Sequence, residues 1–160
     1  MSSIFLIDTS IFLNLINVPS CNQDREVVLE DFKTYSQSNC TFLLPMATII
    51  ETGNHIAQNG DGRVRRQVAS RFVEMIKAAF KGEAPWQPTE FPDTTKILEW
   101  IDEFPELAGQ NKTPHKQEGT SFGDLSIIAE FNKLCKRFPA REIYIWSLDQ
   151  DLKNYYQKPK

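Results

Sequence analysis

The stretch SIFLIDTSIFLNL, residues 3–15, decides the architecture. Ser3 to Ile7 form a short β-leaning run. Asp8, Thr9 and Ser10 follow, each a good helix N-cap, and apolar residues resume over a predicted helix at 10–17 that Pro19 closes. A strand feeding a helix through an acidic turn is the opening unit of an α/β layer.

The alternation continues along the chain. Val28, Phe32 and Tyr35 recur at helical spacing within 22–37, and 41–44 reads as a second strand ended by Pro45. Met46, Ile49, Ile50, Gly53, Ile56 and Ala57 then mark a helix with one apolar face, which puts Glu51 on the other face with Thr48, Thr52 and His55. After the Asn59-Gly60-Asp61-Gly62 turn comes a helix over 63–81 whose outer side is basic. Residues 82–92 hold three prolines and read as loop, with a brief edge strand within 86–91. A helix at 94–104 precedes a long polar loop over 105–120. The last third reads helix 121–138, strand 141–146 and a short helix from about 149. The expectation is one domain over 1–160, a mainly parallel twisted sheet covered by helices on both faces.

Composition narrows the function. With 160 residues and 41% hydrophobic content the chain has material for a core without disulfides. Cys21, Cys40 and Cys135 have neither bridge-like nor zinc-like spacing, which suits reduced thiols in a cytoplasm. No apolar run reaches membrane-spanning length and the start lacks signal-peptide character, so the expected protein is soluble, cytoplasmic and without a membrane partner. A net charge of -3 excludes a generic DNA coat and directs attention to local basic clusters.

Asp8, Glu51, Asp124 and Asp149 come from distant parts of the chain, yet the α/β reading sends them to one rim of the sheet. Singly, each has a plain explanation. Asp8 and Asp149 can cap helices, with Ser147 competing for the second cap, and Glu51 can be an exposed helical acid. Asp124 is different, because it continues the apolar stripe of Ile127, Ile128, Phe131, Leu134, Cys135 and Phe138 and so faces the core. A buried carboxylate needs a partner, either a hydrogen bond, a salt bridge or a cation. Four acids together repel unless divalent ions neutralise them, and hard oxygen ligands select Mg²⁺ or Mn²⁺. Neither His55 nor His115 has a zinc-like partner. A metal-dependent hydrolase is the expected class.

Four segments carry a family resemblance: IFLIDTSIFLNL at 4–15, LLPMATIIETGNHIA at 43–57, FGDLSIIAEFNKL at 122–134 and YIWSLDQDL at 144–152. In that order they resemble the four motifs of the PIN-domain nucleases, the family that includes the VapC-type toxins of bacterial toxin–antitoxin pairs. The resemblance implies a three-layer α/β/α sandwich and Mg²⁺- or Mn²⁺-dependent endonucleolytic hydrolysis of RNA. It also implies frequent homodimerisation and, for toxins, restraint by an antitoxin protein. It assigns Asp8, Glu51, Asp124 and Asp149 to the catalytic metal site, with Thr9, Ser10 and Ser147 as hydroxyl support and Asp151 as the alternative fourth acid. The 105–120 segment is longer than the matching connection in small VapC-type proteins.

An RNA substrate requires positive charge, which Arg63, Arg65, Arg66, Arg71 and Lys77 offer on one helix. Lys133, Lys136, Arg137 and Arg141 make a second cluster away from the acids. Trp86 and Phe91 are expected either in the core or against bases. Two rival readings are a non-catalytic PIN-like scaffold binding RNA or protein, and a phosphoacceptor receiver-like domain. The second is disfavoured because the late strand ends in Ser147-Leu148-Asp149 and lacks the lysine that such domains need.

Overall fold

A computed structural model describes residues 2–160. Five strands and seven helices are present among them: β1 (Ser3–Ile7), α1 (Thr9–Leu15), α2 (Arg25–Ser36), β2 (Cys40–Leu44), α3 (Met46–Ala57), α4 (Gly62–Phe80), β3 (Trp86–Pro88), α5 (Thr94–Gly109), α6 (Phe122–Arg137), β4 (Glu142–Trp146), α7 (Gln150–Lys153) and β5 (Tyr156–Gln157). The sheet order is β3-β2-β1-β4-β5, parallel throughout except for the antiparallel edge pair β4 and β5. Side chains of β1 alternate between two cores, as the pleat requires. Phe5 and Ile7 join Phe12, Val28, Phe42, Leu44, Val68 and Trp146 on one face, whereas Ile4 and Leu6 join Ile127, Phe131 and Leu152 on the other. A three-layer α/β/α sandwich results.

Because the chain leaves β1 for β2 and β3 on one side and returns to β4 on the other, the order of strands reverses beside β1. In open parallel sheets such a switch point opens a crevice at the carboxyl ends of the strands. Asp8 ends β1 and Ser147 ends β4, so both stand at its mouth.

Several expectations need correction. The apolar spacing in α3 points to a face with Ile50 and Ala57, yet Ile50 is 53% exposed and the inward side carries Thr48, Thr52 and Ile56. The Thr48 hydroxyl donates to the Ile7 carbonyl at 2.8 Å, so a polar group with a built-in partner is what docks this helix. The helix from Thr94 does not stop at 104 but runs through Pro105 to Gly109. Proline removes the bond to the carbonyl four residues back, that of Ile101, and crowds it, but Ile101 is exposed and lies off the inward face. Trp100, Phe104 and Leu107 continue one inward stripe across the proline, and Phe104 meets Phe122 of α6 edge-on at 5.3 Å. The long loop therefore spans only 110–120. The two-residue strand β5 escaped the sequence reading; it is held by Tyr156 stacked on Tyr144 at 4.5 Å. Trp86 lies in the core, edge-on to Phe12 at 5.4 Å, and is not available to stack on bases. All three cysteines are free thiols. Among the described residues no helix is long and apolar enough to cross a membrane.

Candidate metal centre and nucleic-acid face

Asp8 occupies the cap position of α1 but makes no side-chain cap bond. Its amide donates to the Trp146 carbonyl at 2.9 Å, which ties the end of β1 to the end of β4. The carboxylate accepts on Oδ2 from Ser147 at 2.7 Å and from Ser10 at 2.9 Å, while only 3% of the residue is exposed. The two hydroxyls also accept, Ser10 from the Leu148 amide and Ser147 from the Asp149 amide, each at 3.0 Å. Burial pushes the Asp8 carboxyl above its ordinary range, the hydroxyls partly oppose this, and the charge of Asp149 adds to it. Asp149, like Asp8, is not used as a side-chain cap.

Thr48 seats α3 on the end of β1, and one turn later Glu51 accepts on Oε2 from Thr9 at 2.9 Å. On its other side Glu51 rests against the first turn of α6. A Cβ on Gly123 would stand 2.0 Å from Glu51 Oε1, so only glycine leaves room for that carboxylate there. Ser121 caps α6 by accepting from the Asp124 amide at 3.1 Å, which frees the Asp124 side chain. That carboxyl is held above its ordinary range first by burial and then by the charge of Asp8, with a further push from Glu51 and an opposing pull from Lys112. The charges of Asp8, just past β1, and of Glu51 on α3 thus both reach Asp124 at the start of α6.

The structure joins the predicted acids unequally. The charges of Asp8 and Glu51 both reach Asp124, the exposed Asp149 carboxylate reaches Asp8 only through its field, and Asp151, which shares a cavity with Asp124, pairs with Lys116 at 3.3 Å. Among the described residues no three acids, histidines or cysteines already stand close enough to ligate one ion. The donor set itself is all oxygen and anionic, with Asp8 oriented by two hydroxyls and Glu51 by a third, and it fits a hard divalent cation. His55 and His115 are both exposed.

Two residues at the cleft were not anticipated. Gly123 left a weak trace, a glycine inside a helical pattern. Lys112, 3.5 Å from Asp124 Oδ2, left none, because it sits in a polar loop without period.

The basic residues of α4 divide. Arg63, Arg66 and Lys77 are exposed and form no ion pair among the described residues. Arg65 donates instead to the Asn59 carbonyl in the turn before the helix. Arg71, expected on the RNA face, donates at 2.8 Å to the carbonyls of both Ile16 and Asn17, so it satisfies the open end of α1. Charge-assisted bonds of this type contribute about 1.5–3 kcal/mol, and Asn17 can turn to water, so Arg71→Met should cost about 2 kcal/mol in urea unfolding. An unchanged midpoint would show that Arg71 does not hold the end of α1. In the second cluster Arg141 reaches the carbonyls of Ser2 and Ser3 and the Thr41 hydroxyl, and Lys133 pairs with Glu90 at 3.1 Å.

No protein-family model matches this chain, and no curated protein sequence matches it.

Proposed function

We propose that the chain is a metal-dependent endoribonuclease of the PIN type, the toxin of a toxin–antitoxin pair that self-associates and is restrained by a partner protein. One observation carries the catalytic part: a nearly buried carboxylate at the switch point of a parallel sheet, raised in pKa, whose charge and that of Glu51 both bear on Asp124 from a third element. Bound there, Mg²⁺ or Mn²⁺ supplies a bound water of lowered pKa and charge stabilisation at a phosphodiester. Asp8 and Asp124 are the chief ligands, and Glu51 and Asp149 complete the shell or orient water. Ser10 and Ser147 fix the Asp8 carboxylate, and Thr9 fixes that of Glu51. The decisive measurement is hydrolysis of a fluorescent RNA by the purified chain as Mn²⁺ is titrated. No metal-dependent cleavage would reject the reading.

Arg63, Arg66 and Lys77 are the residues assigned to the RNA backbone. Each phosphate contact on a single strand contributes about 0.7 to the slope of log affinity against log salt, so Arg63→Glu with Arg66→Glu should flatten it by about 1.4. A slope that stays the same would remove α4 from the interface.

A second reading has its own support. The absence of a preassembled ligand triad among the described residues, and the pairing of Asp124 with Lys112, favour a non-catalytic RNA- or protein-binding scaffold. Such a scaffold would bind RNA with the same salt slope with or without Mn²⁺ and would cleave nothing.

A further inference from the structure

On the face of the sheet that α6 covers, a cavity of about 240 Å³ opens between that helix and the strands β1, β2 and β3. Ile4, Thr41, Leu43 and Pro88 form its floor, and Leu134 of α6 with Phe138 just past it forms a wall. None of Asp8, Glu51, Asp124 and Asp149 borders it. Glu130 lines this cavity from α6 with only 7% of its surface exposed. Among the described residues its carboxylate accepts no hydrogen bond and forms no ion pair. Burial pushes this carboxyl above its ordinary range, the charges of Lys133 and Lys96 oppose the shift, and that of Glu90 adds to it. Both lysines are already matched, Lys133 by Glu90 at 3.1 Å and Lys96 by Glu99 at 2.9 Å. A buried acid without a partner is costly, which is why such groups in folded proteins nearly always have one. Glu130 also borders a space of about 10 Å³ beside Trp100, room for one water at most. An organic partner for the acid has room only in the larger cavity.

The mouth carries the opposite charge. Arg137 is exposed and forms no ion pair among the described residues, and its guanidinium lies 5.3 Å from the centre of the Phe138 ring. Arg141 stands over the same ring at 5.6 Å and donates to the Ser2 and Ser3 carbonyls and the Thr41 hydroxyl, all of them neutral acceptors. The charged residues lining the cavity are thus Glu90, Glu130, Lys133, Arg137 and Arg141. Glu90 and Lys133 cancel, which leaves one deep carboxylate against two outer guanidiniums. A plain cation is repelled at the mouth and a plain anion at the base. A molecule with a cationic end and an anionic end meets its complement at both. Glu130 and Arg137 are seven residues apart on one face of α6, about 10 Å along the helix axis. That separation selects charges at the two ends of an apolar chain over charges on neighbouring atoms.

We propose that this cavity binds a small zwitterion, with its ammonium on Glu130, its apolar chain over Ile4, Leu43 and Leu134, and its carboxylate on Arg137 and Arg141. The site is independent of the metal-centre reading, because it shares no residue with the acidic rim and asks nothing of RNA cleavage.

The test is methyl NMR of the full chain titrated with 6-aminohexanoate, with hexylamine and hexanoate as probes that keep one charged end each. The Ile4, Leu43 and Leu134 methyl signals should shift and saturate with 6-aminohexanoate. Each single-ended probe should bind about tenfold more weakly or worse, the scale of one lost charge-assisted hydrogen bond. Glu130→Gln and Arg137→Gln should each weaken 6-aminohexanoate by a similar factor. They should also cross over, Glu130→Gln leaving hexanoate no weaker and Arg137→Gln leaving hexylamine no weaker. If Glu130→Gln does not fold, the exposed Arg137→Gln and the single-ended probes decide alone. No saturable shift on wild type overturns the proposal, as do equal affinities for the three probes or indifference to the substitutions. Shifts with oligouridylate and none with 6-aminohexanoate would put an RNA backbone in the cavity and overturn it as well.

Discussion

Asp8→Asn is expected to lower metal-dependent RNA cleavage by about a thousandfold or more, the scale of removing a primary catalytic group, and at the same time to stabilise the fold. The two effects have one origin. Asp8 is held nearly out of solvent, and burial is the largest influence on its pKa, which it raises. Both hydroxyl partners donate to Oδ2 alone, so an asparagine can present its single carbonyl oxygen there and keep both bonds. The variant loses the charge and with it the buried-anion penalty. Relief of this type at a functional site is typically worth about 1 kcal/mol, or roughly 3 °C in Tm for a chain of this length.

The sign of the pH dependence follows from the raised pKa. A folded carboxyl that holds its proton more tightly than the unfolded one, whose value is 3.8, binds more protons in the native state. Its contribution therefore becomes unfavourable as pH rises through the window above 3.8, and the disadvantage is complete once pH exceeds the folded pKa. The stabilisation by Asp8→Asn should accordingly be present in urea unfolding at pH 7 and absent at pH 3. A variant that unfolds more readily at pH 7 would mean that the carboxylate is a structural anion whose loss the serines cannot absorb. A variant that still cleaves RNA would remove Asp8 from the chemistry.

The sequence makes the sheet legible because its strands obey a simple rule. β1 is buried on both faces and reads as an unbroken apolar run, and the acidic turn after it marks the carboxyl edge. The acids are legible for the same reason, since strand ends and helix starts fix which rim they reach. What fails is any inference that equates polar with outward. Thr48 and Thr52 are fully buried, and the apolar periodicity of α3, although right about Ile49 and Ile56, turns Ile50 and Ala57 inward when both are exposed. A hydroxyl that finds the Ile7 carbonyl behaves as a packing group, and no count of apolar residues registers that. Pro105 misleads through local chemistry that Leu107, one turn of the same stripe further on, overrides. Arg71 misleads because a basic run gives no sign of which member meets an open helix end. Lys112 is wholly tertiary, placed by a loop whose course depends on one glycine meeting one carbonyl.

That meeting gives the second large expected effect. Gly119→Ala should release the 110–120 loop without unfolding the domain. The added Cβ would lie 2.0, 2.5 and 2.7 Å from the O, C and Cα atoms of Ala108, all backbone, so no side chain can swing aside and the two segments must part. Overpacking of this kind costs about 1–3 kcal/mol, which raises the population of the undocked loop by about five- to 150-fold. Trypsin cleavage after Lys112, a side chain now shielded in its cavity, should accelerate by the same factor if opening is fast relative to cutting. Global stability should change much less than that local cost, because neither core cluster contains a residue of the loop. Trypsin cleavage after Lys112 at the wild-type rate would show that the loop absorbs the added methyl group without undocking.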